Sequence, residues 1–196
     1  MQKHPNPQGK GLVPVLQGLQ QHWARVQVAP KQLDQVSLEL FTSLFVLQSE
    51  FRFNPVPEQD YFLYQAGETY RMMLVGPDEW TAACPGRYIG RCTLLIDRTW
   101  TLELDAAVAA DEAFMAGIEA RRQALQERLE AADTLEDALP TFEAELGYYG
   151  KALSFILGKS LRVSMQLSGI HALSYEQARG PLDSIPRARP WPDICE

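Results

Sequence analysis

Tyr61-Phe62-Leu63-Tyr64, then Ala66-Gly67-Glu68, then Tyr70-Arg71-Met72-Met73-Leu74-Val75: over this run the apolar residues stop recurring at intervals of three and four and fall into short aromatic and aliphatic blocks. Gly67, between two such blocks, can supply the positive φ of a tight turn, so the pattern predicts a hairpin. Tyr88–Ile96 and Thr99–Leu104 follow, joined at Asp97-Arg98. In the last of these, Trp100, Leu102 and Leu104 alternate with Thr99, Thr101 and Glu103, which is the pattern of a strand with one dry face. Four short antiparallel strands are expected over about residues 61–104, arranged as a meander. A sheet this small needs helices over one face, so the fold class expected is α+β.

Helical patterns lie on both sides. From Lys31 to Phe53 the residues Leu33, Val36, Leu40, Leu44, Leu47 and Phe51 step by three and four, and Asn54-Pro55-Val56-Pro57 stops them. Beyond the sheet, Asp105 or Asp111 can cap a helix reaching about Ala132, with Val108, Met115, Ile118, Leu125 and Leu129 as its apolar stripe. Thr134-x-x-Asp137 resembles a capping box, and a further helix is expected over about Thr141 to Leu167, with Gly169 as its stop. Gly147, Gly150 and Gly158 within that span imply close packing or a local break. Ser174-x-x-Gln177 and Gly180-Pro181 bracket a last short helix. The expected organisation is therefore a basic arm (1–30), one α+β domain (31–180) and an extended tail (181–196).

Composition narrows the function classes. Of 196 residues 46% are hydrophobic and 22% charged, enough for a packed core and unlike a disordered chain. The net charge of −7 argues against general phosphate-backbone binding. The charge is segregated: Asp105 to Glu145 holds eleven acids against Arg121, Arg122 and Arg128, while Lys3, Lys10, Arg25 and Lys31 precede the first acid, Asp34. Cys84, Cys92 and Cys195 form neither a disulfide framework nor a C-x-x-C pair, which suits a reducing compartment. With no apolar run of signal-peptide or membrane-spanning length, a cytoplasmic protein that leaves membranes alone is expected.

Within the sheet region, Tyr61-x-Leu63-Tyr64, Pro77-x-Glu79-Trp80, Cys84-Pro85, Gly90, Leu94, Asp97 and Trp100-Thr101 resemble the signature of domain of unknown function 2452, a family found in bacteria and eukaryotes. The resemblance spans Tyr61–Thr101, with a shorter hairpin loop here. It implies a shared sheet and no particular activity.

Read physically, the same residues serve architecture or a ligand. Pro77-Asp78-Glu79-Trp80 has the makings of one helical turn, and its two acids are adjacent rather than convergent. Trp80 and Trp100 can pack or stack, and Asp97 can close a turn or orient a ligand. Cys84 could be reactive only if a cation lowered its pKa. His4, His22 and His171 lie far apart, Gly9-Lys10-Gly11 lacks the spacing of a phosphate loop, and no G-x-S-x-G elbow occurs. The sequence therefore proposes no catalytic residue, metal or cofactor. Three readings follow: a non-catalytic protein-interaction module using the acidic helix or the termini; a small-ligand binder or enzyme with a pocket lined by Tyr61, Tyr64, Glu79, Trp80, Asp97 and Trp100; and RNA or ribosome association through the basic arm. Homodimerisation is a separate expectation, because the helices offer more apolar surface than a small sheet covers.

Overall fold

A computed structural model describes residues 27–81, 84–141 and 145–180. Helix α1 (Leu33–Leu47) is followed by strands β1 (Asp60–Ala66), β2 (Thr69–Met73), β3 (Arg87–Leu94) and β4 (Trp100–Leu104). Helices α2 (Ala106–Ala109), α3 (Glu112–Ala131), α4 (Tyr148–Ser168) and α5 (Tyr175–Arg179) complete the fold. The class is α+β, an antiparallel four-stranded sheet with one helix before it and helices after it. The expected basic arm and tail lie almost wholly outside the described residues.

The sheet is not a meander. Its order is β2-β1-β3-β4, so β1 pairs with both β2 and β3. Both neighbours are antiparallel to β1 and run in the same direction as each other, so the chain must travel back along the sheet between them. The described residues between β2 and β3, 74–81 and 84–86, include a 3-10 turn at Pro77–Glu79. Period alone cannot distinguish this connection from a hairpin-by-hairpin path. The β1–β2 hairpin forms at Gly67, φ +64°, as its sequence requires.

Element ends also differ from expectation. The stripe expected to run to Phe53 leaves the helix at Leu47, because Glu50 joins the sheet edge: its N–H donates to the Tyr70 carbonyl and its carbonyl accepts from the Met72 N–H. Asp105 and Asp111 each cap a helix, α2 and α3, where one helix was expected. Helix α4 starts at Tyr148 rather than near Thr141, behind Gly147, and ends at Gly169 in the left-handed region. Gly150 and Gly158 sit inside it where the chain passes close. A Cβ on Gly158 would overlap the Pro140 carbonyl oxygen.

Tyr61, Leu63, Ile89, Cys92, Leu94 and Trp100 carry the inner sheet face, packed with Leu40, Phe45 and Leu47 of α1 and Leu153, Leu157 and Leu161 of α4 in one core. No described helix is long and apolar enough to cross a membrane.

Candidate functional site

The six residues singled out in the sequence are divided among three places: the core, the outer side of the sheet and the β3–β4 turn. Tyr61 and Trp100 meet edge to face, ring centroids 5.8 Å apart, and both are fully buried in the core. Tyr61 Oη accepts the Val56 N–H at 2.6 Å, and burial raises its pKa. Tyr64 and Phe62 point to the other side, against Tyr88. There the returning segment covers them: Tyr64 Oη donates to the Val75 carbonyl and accepts from Trp80 Nε1, each at 3.0 Å. Burial, only partly offset by the Trp80 hydrogen bond, raises the Tyr64 pKa as well. Glu79 Oε2 accepts the Gly76 N–H at 2.9 Å and closes the 3-10 turn. Tyr64, Glu79 and Trp80 thus belong to one latch that holds the crossover to the sheet, and Trp100 and Tyr61 to the core. They do not line a common cleft.

Asp97 lies in a third place. It closes the β3–β4 turn by accepting the Thr99 N–H and Oγ1–H at 3.1 and 2.7 Å. Its other oxygen meets Lys31, whose ammonium also contacts Glu39 on α1. Lys31 is only 6% exposed, against 14% for Asp97 and 18% for Glu39. Burial pushes the Asp97 carboxyl upward, but Lys31 and Thr99 together outweigh it and hold its pKa below the usual carboxylate value. Three serines spaced four apart on α4 complete the cluster: Ser160 Oγ donates to the Asp97 carbonyl, Ser164 Oγ to Ala29 and Ser168 Oγ to Lys31, the last two at 2.6 Å. This one face of α4 thus spaces donors along an incoming segment, 29–31, and the sheet turn beside it. Every polar group in this cluster is used in holding elements together.

Among the described residues a hollow surface lies elsewhere, along α1 and α3. A groove of about 310 Å³ is lined by Phe41, Leu44, Phe45 and Gln48 of α1 and its end, and by Arg121, Ala124, Leu125 and Arg128 of α3. It shares Gln48 and Arg121 with a wider hollow of about 640 Å³, bordered by Glu50–Arg52, Glu68–Tyr70 and the start of α4 at Gly147–Gly150. The two adjoin at these shared residues, and together they are the trough. The α1 wall arises because residues 41, 44, 45 and 48 share one helical face, and the α3 wall because 121, 124, 125 and 128 do. Arg121 is pinned by two rings: its guanidinium lies 5.6 Å from the Phe45 centroid and 5.7 Å from that of Tyr70. Leu38 (44% exposed) sits one turn before Phe41, and Tyr148 (61%) stands at the far end.

Sequence reasoning missed this trough. Its signal was present in the acidic segment: Arg121 and Arg128, seven residues apart, have Gly117, Ile118, Ala124, Leu125, Ala131 and Ala132 as their i±3 and i±4 neighbours, so no carboxylate of the same helix reaches either. Among the described residues neither arginine has an ion pair, whereas Arg87, Arg91, Arg122 and Arg162 each have at least one. No group of three or more His, Cys, Asp or Glu side chains among the described residues is placed to hold a metal ion.

Fold and surface together define an α+β domain with a solvent-facing trough beside its sheet edge. Residues 31–117, from the buried Lys31 through the sheet into the first turns of α3, match the family model described as "Protein of unknown function (DUF2452)". The match covers α1, the whole sheet and α2, and leaves Arg121, Arg128 and α4 beyond its end. Neither curated proteins nor solved structures give a match to the chain.

Proposed function

We propose that this protein is a non-catalytic interaction module whose contact surface is the trough along α1, α3 and the start of α4. The observation that carries the reading is the combination of an apolar floor (Phe41, Leu44, Leu125) with two rim arginines that no described carboxylate pairs. A trough open along its length suits a polypeptide segment better than a small molecule, which pockets usually enclose over most of its surface. Cytoplasmic residence belongs to the same proposal, since buried Cys92 and exposed Cys84 are both free thiols.

The test is capture from lysate with three baits. Wild-type chain and a Thr101→Glu variant, altered on the exposed outer sheet face, are expected to retain the same partner. A Gln48→Glu/Arg121→Glu variant, altered only at exposed trough positions, is expected to lose it. A partner retained equally by all three baits, or no partner above background, would overturn the assignment of this surface.

A further inference from the structure

The trough also specifies what kind of segment it takes. We infer that its occupant is an amphipathic helix of another protein, with apolar side chains seated on Phe41, Leu44 and Leu125 and carboxylates about seven residues apart facing Arg121 and Arg128. This inference rests on the trough being the contact surface.

Three observations support it. The first is length: Arg121 and Arg128 are two helical turns apart, about 10 Å along the axis, as are Phe41 and Gln48 on the facing wall. Two walls of matched two-turn length suit a helix laid between them, whose own i, i+3, i+4 and i+7 side chains form a stripe of that extent. The second is charge. Helix α3 belongs to the most acidic part of the chain, with Glu112, Glu119, Glu127 and Glu130, yet its trough-facing positions are Arg121, Ala124, Leu125 and Arg128. The face α3 turns to the groove is cationic on an anionic helix, and no residue lining the α1–α3 groove is acidic, whereas Glu50, Glu68 and Glu145 border the wider hollow beyond Arg121. The segment complementary to the α1–α3 groove is therefore acidic despite the net charge of −7. The third is preorganisation. Arg121 is already held by Phe45 and Tyr70, so less side-chain freedom is lost when a carboxylate meets it.

The probe is a designed 18-residue helical peptide with leucines at i, i+3, i+4 and i+7 and glutamates seven apart on one flank. A second version carries lysine in place of those glutamates. Each is titrated into the full chain by fluorescence anisotropy at two salt concentrations. The glutamate peptide is expected to bind, more weakly at higher salt, and the lysine peptide to bind at least about tenfold less tightly. Arg121→Gln/Arg128→Gln should weaken the glutamate peptide by about three- to thirty-fold, the range for two exposed pairs. Arg121→Glu/Arg128→Glu should reverse the preference, and Arg121→Lys/Arg128→Lys should largely keep it. Each variant alters only these two exposed positions, and circular dichroism checks that it is folded.

Equal or tighter binding of the lysine peptide would overturn the acidic assignment while leaving the trough as a contact surface. Failure of both peptides would overturn the helix-in-groove inference, and the capture experiment then decides separately whether the trough is a contact surface at all. A concentration-dependent dimer abolished by Arg121→Glu/Arg128→Glu would assign the trough to a second copy of this chain and overturn the inference as well.

Discussion

Replacing Lys31 by methionine keeps the stem of the side chain and removes its charge, leaving Asp97 and Glu39 without their shared cation. The two acids do not suffer equally. Glu39 keeps a second partner, accepting from Gln35 Nε2 at 2.9 Å in a solvent-exposed hydrogen bond, so it can turn toward water. Asp97 is held in place by Thr99 and by the Ser160 contact to its carbonyl, so it stays buried as an uncompensated anion. Removing one partner of a buried pair costs about 3–5 kcal/mol, and because only one carboxylate is trapped we expect the lower end, about 3 kcal/mol at pH 7. For a chain of this size that is a fall in Tm of about 6–12 °C.

The pH dependence follows from the direction of the Asp97 shift. Its folded pKa is lowered, so in the wild type its contribution is complete above the unfolded value, about 3.9, and is lost as the pH falls through the folded value. In Lys31→Met burial acts without its main counterweight, so the Asp97 pKa is raised instead, and protonation relieves the variant as the pH falls toward about 4. Both effects shrink the difference between the two proteins in acid. Urea unfolding at pH 7 and pH 3.5 measures it. A deficit below about 1 kcal/mol at pH 7, or one that is as large at pH 3.5, would refute the buried-anchor account.

Three further expectations concern packing and reactivity. Gly158→Ala places a Cβ against the Pro140 carbonyl and should destabilise by about 1–3 kcal/mol, whereas Gly117→Ala, with open space around it on α3, should stabilise by about 0.5–1 kcal/mol; thermal melts of the pair distinguish close approach from helix propensity. Cys92 is buried and its thiol pKa is pushed up to about 12 by burial first and then by Asp60, so a Cys84→Ser/Cys195→Ser variant should show no titratable thiol at pH 8 until it is denatured. Trp80→Phe removes the hydrogen bond to Tyr64 Oη and should cost about 0.5–1.5 kcal/mol in chemical denaturation, with no loss of peptide binding at the trough, which Trp80 does not line.

Much of the site's raw material was legible, but its arrangement was not. Tyr61, Tyr64, Trp80, Asp97 and Trp100 stand out in the sequence because aromatic and turn-forming residues recur there, and they matter: two fill the core, two latch the crossover, one anchors a turn to α1. Strand alternation alone sends Tyr61 and Tyr64 to opposite sides of β1, since they stand three residues apart. The trough was harder to see. Leu44 reads simply as part of the stripe that starts at Leu33, and only the incomplete cover given by α3 leaves it, with Phe41 and Phe45, lining a groove.

What the chain determines locally, it determines well: Gly67 and Gly169 take positive φ, Asp105, Asp111 and Ser174 cap the helices that follow them, and the alternation after Thr99 makes a strand. These depend on interactions within a few residues, where one side chain's sterics or hydrogen bonds decide the outcome. The strand order and the trough depend on partners far apart in the chain. The connection 74–86 is long enough to turn back to a neighbour or to cross β1, and Lys31 finds Asp97 66 residues away. Only the packed structure chooses among such pairings, because burial rewards whichever arrangement covers the most apolar surface at once, and that sum has no local signature.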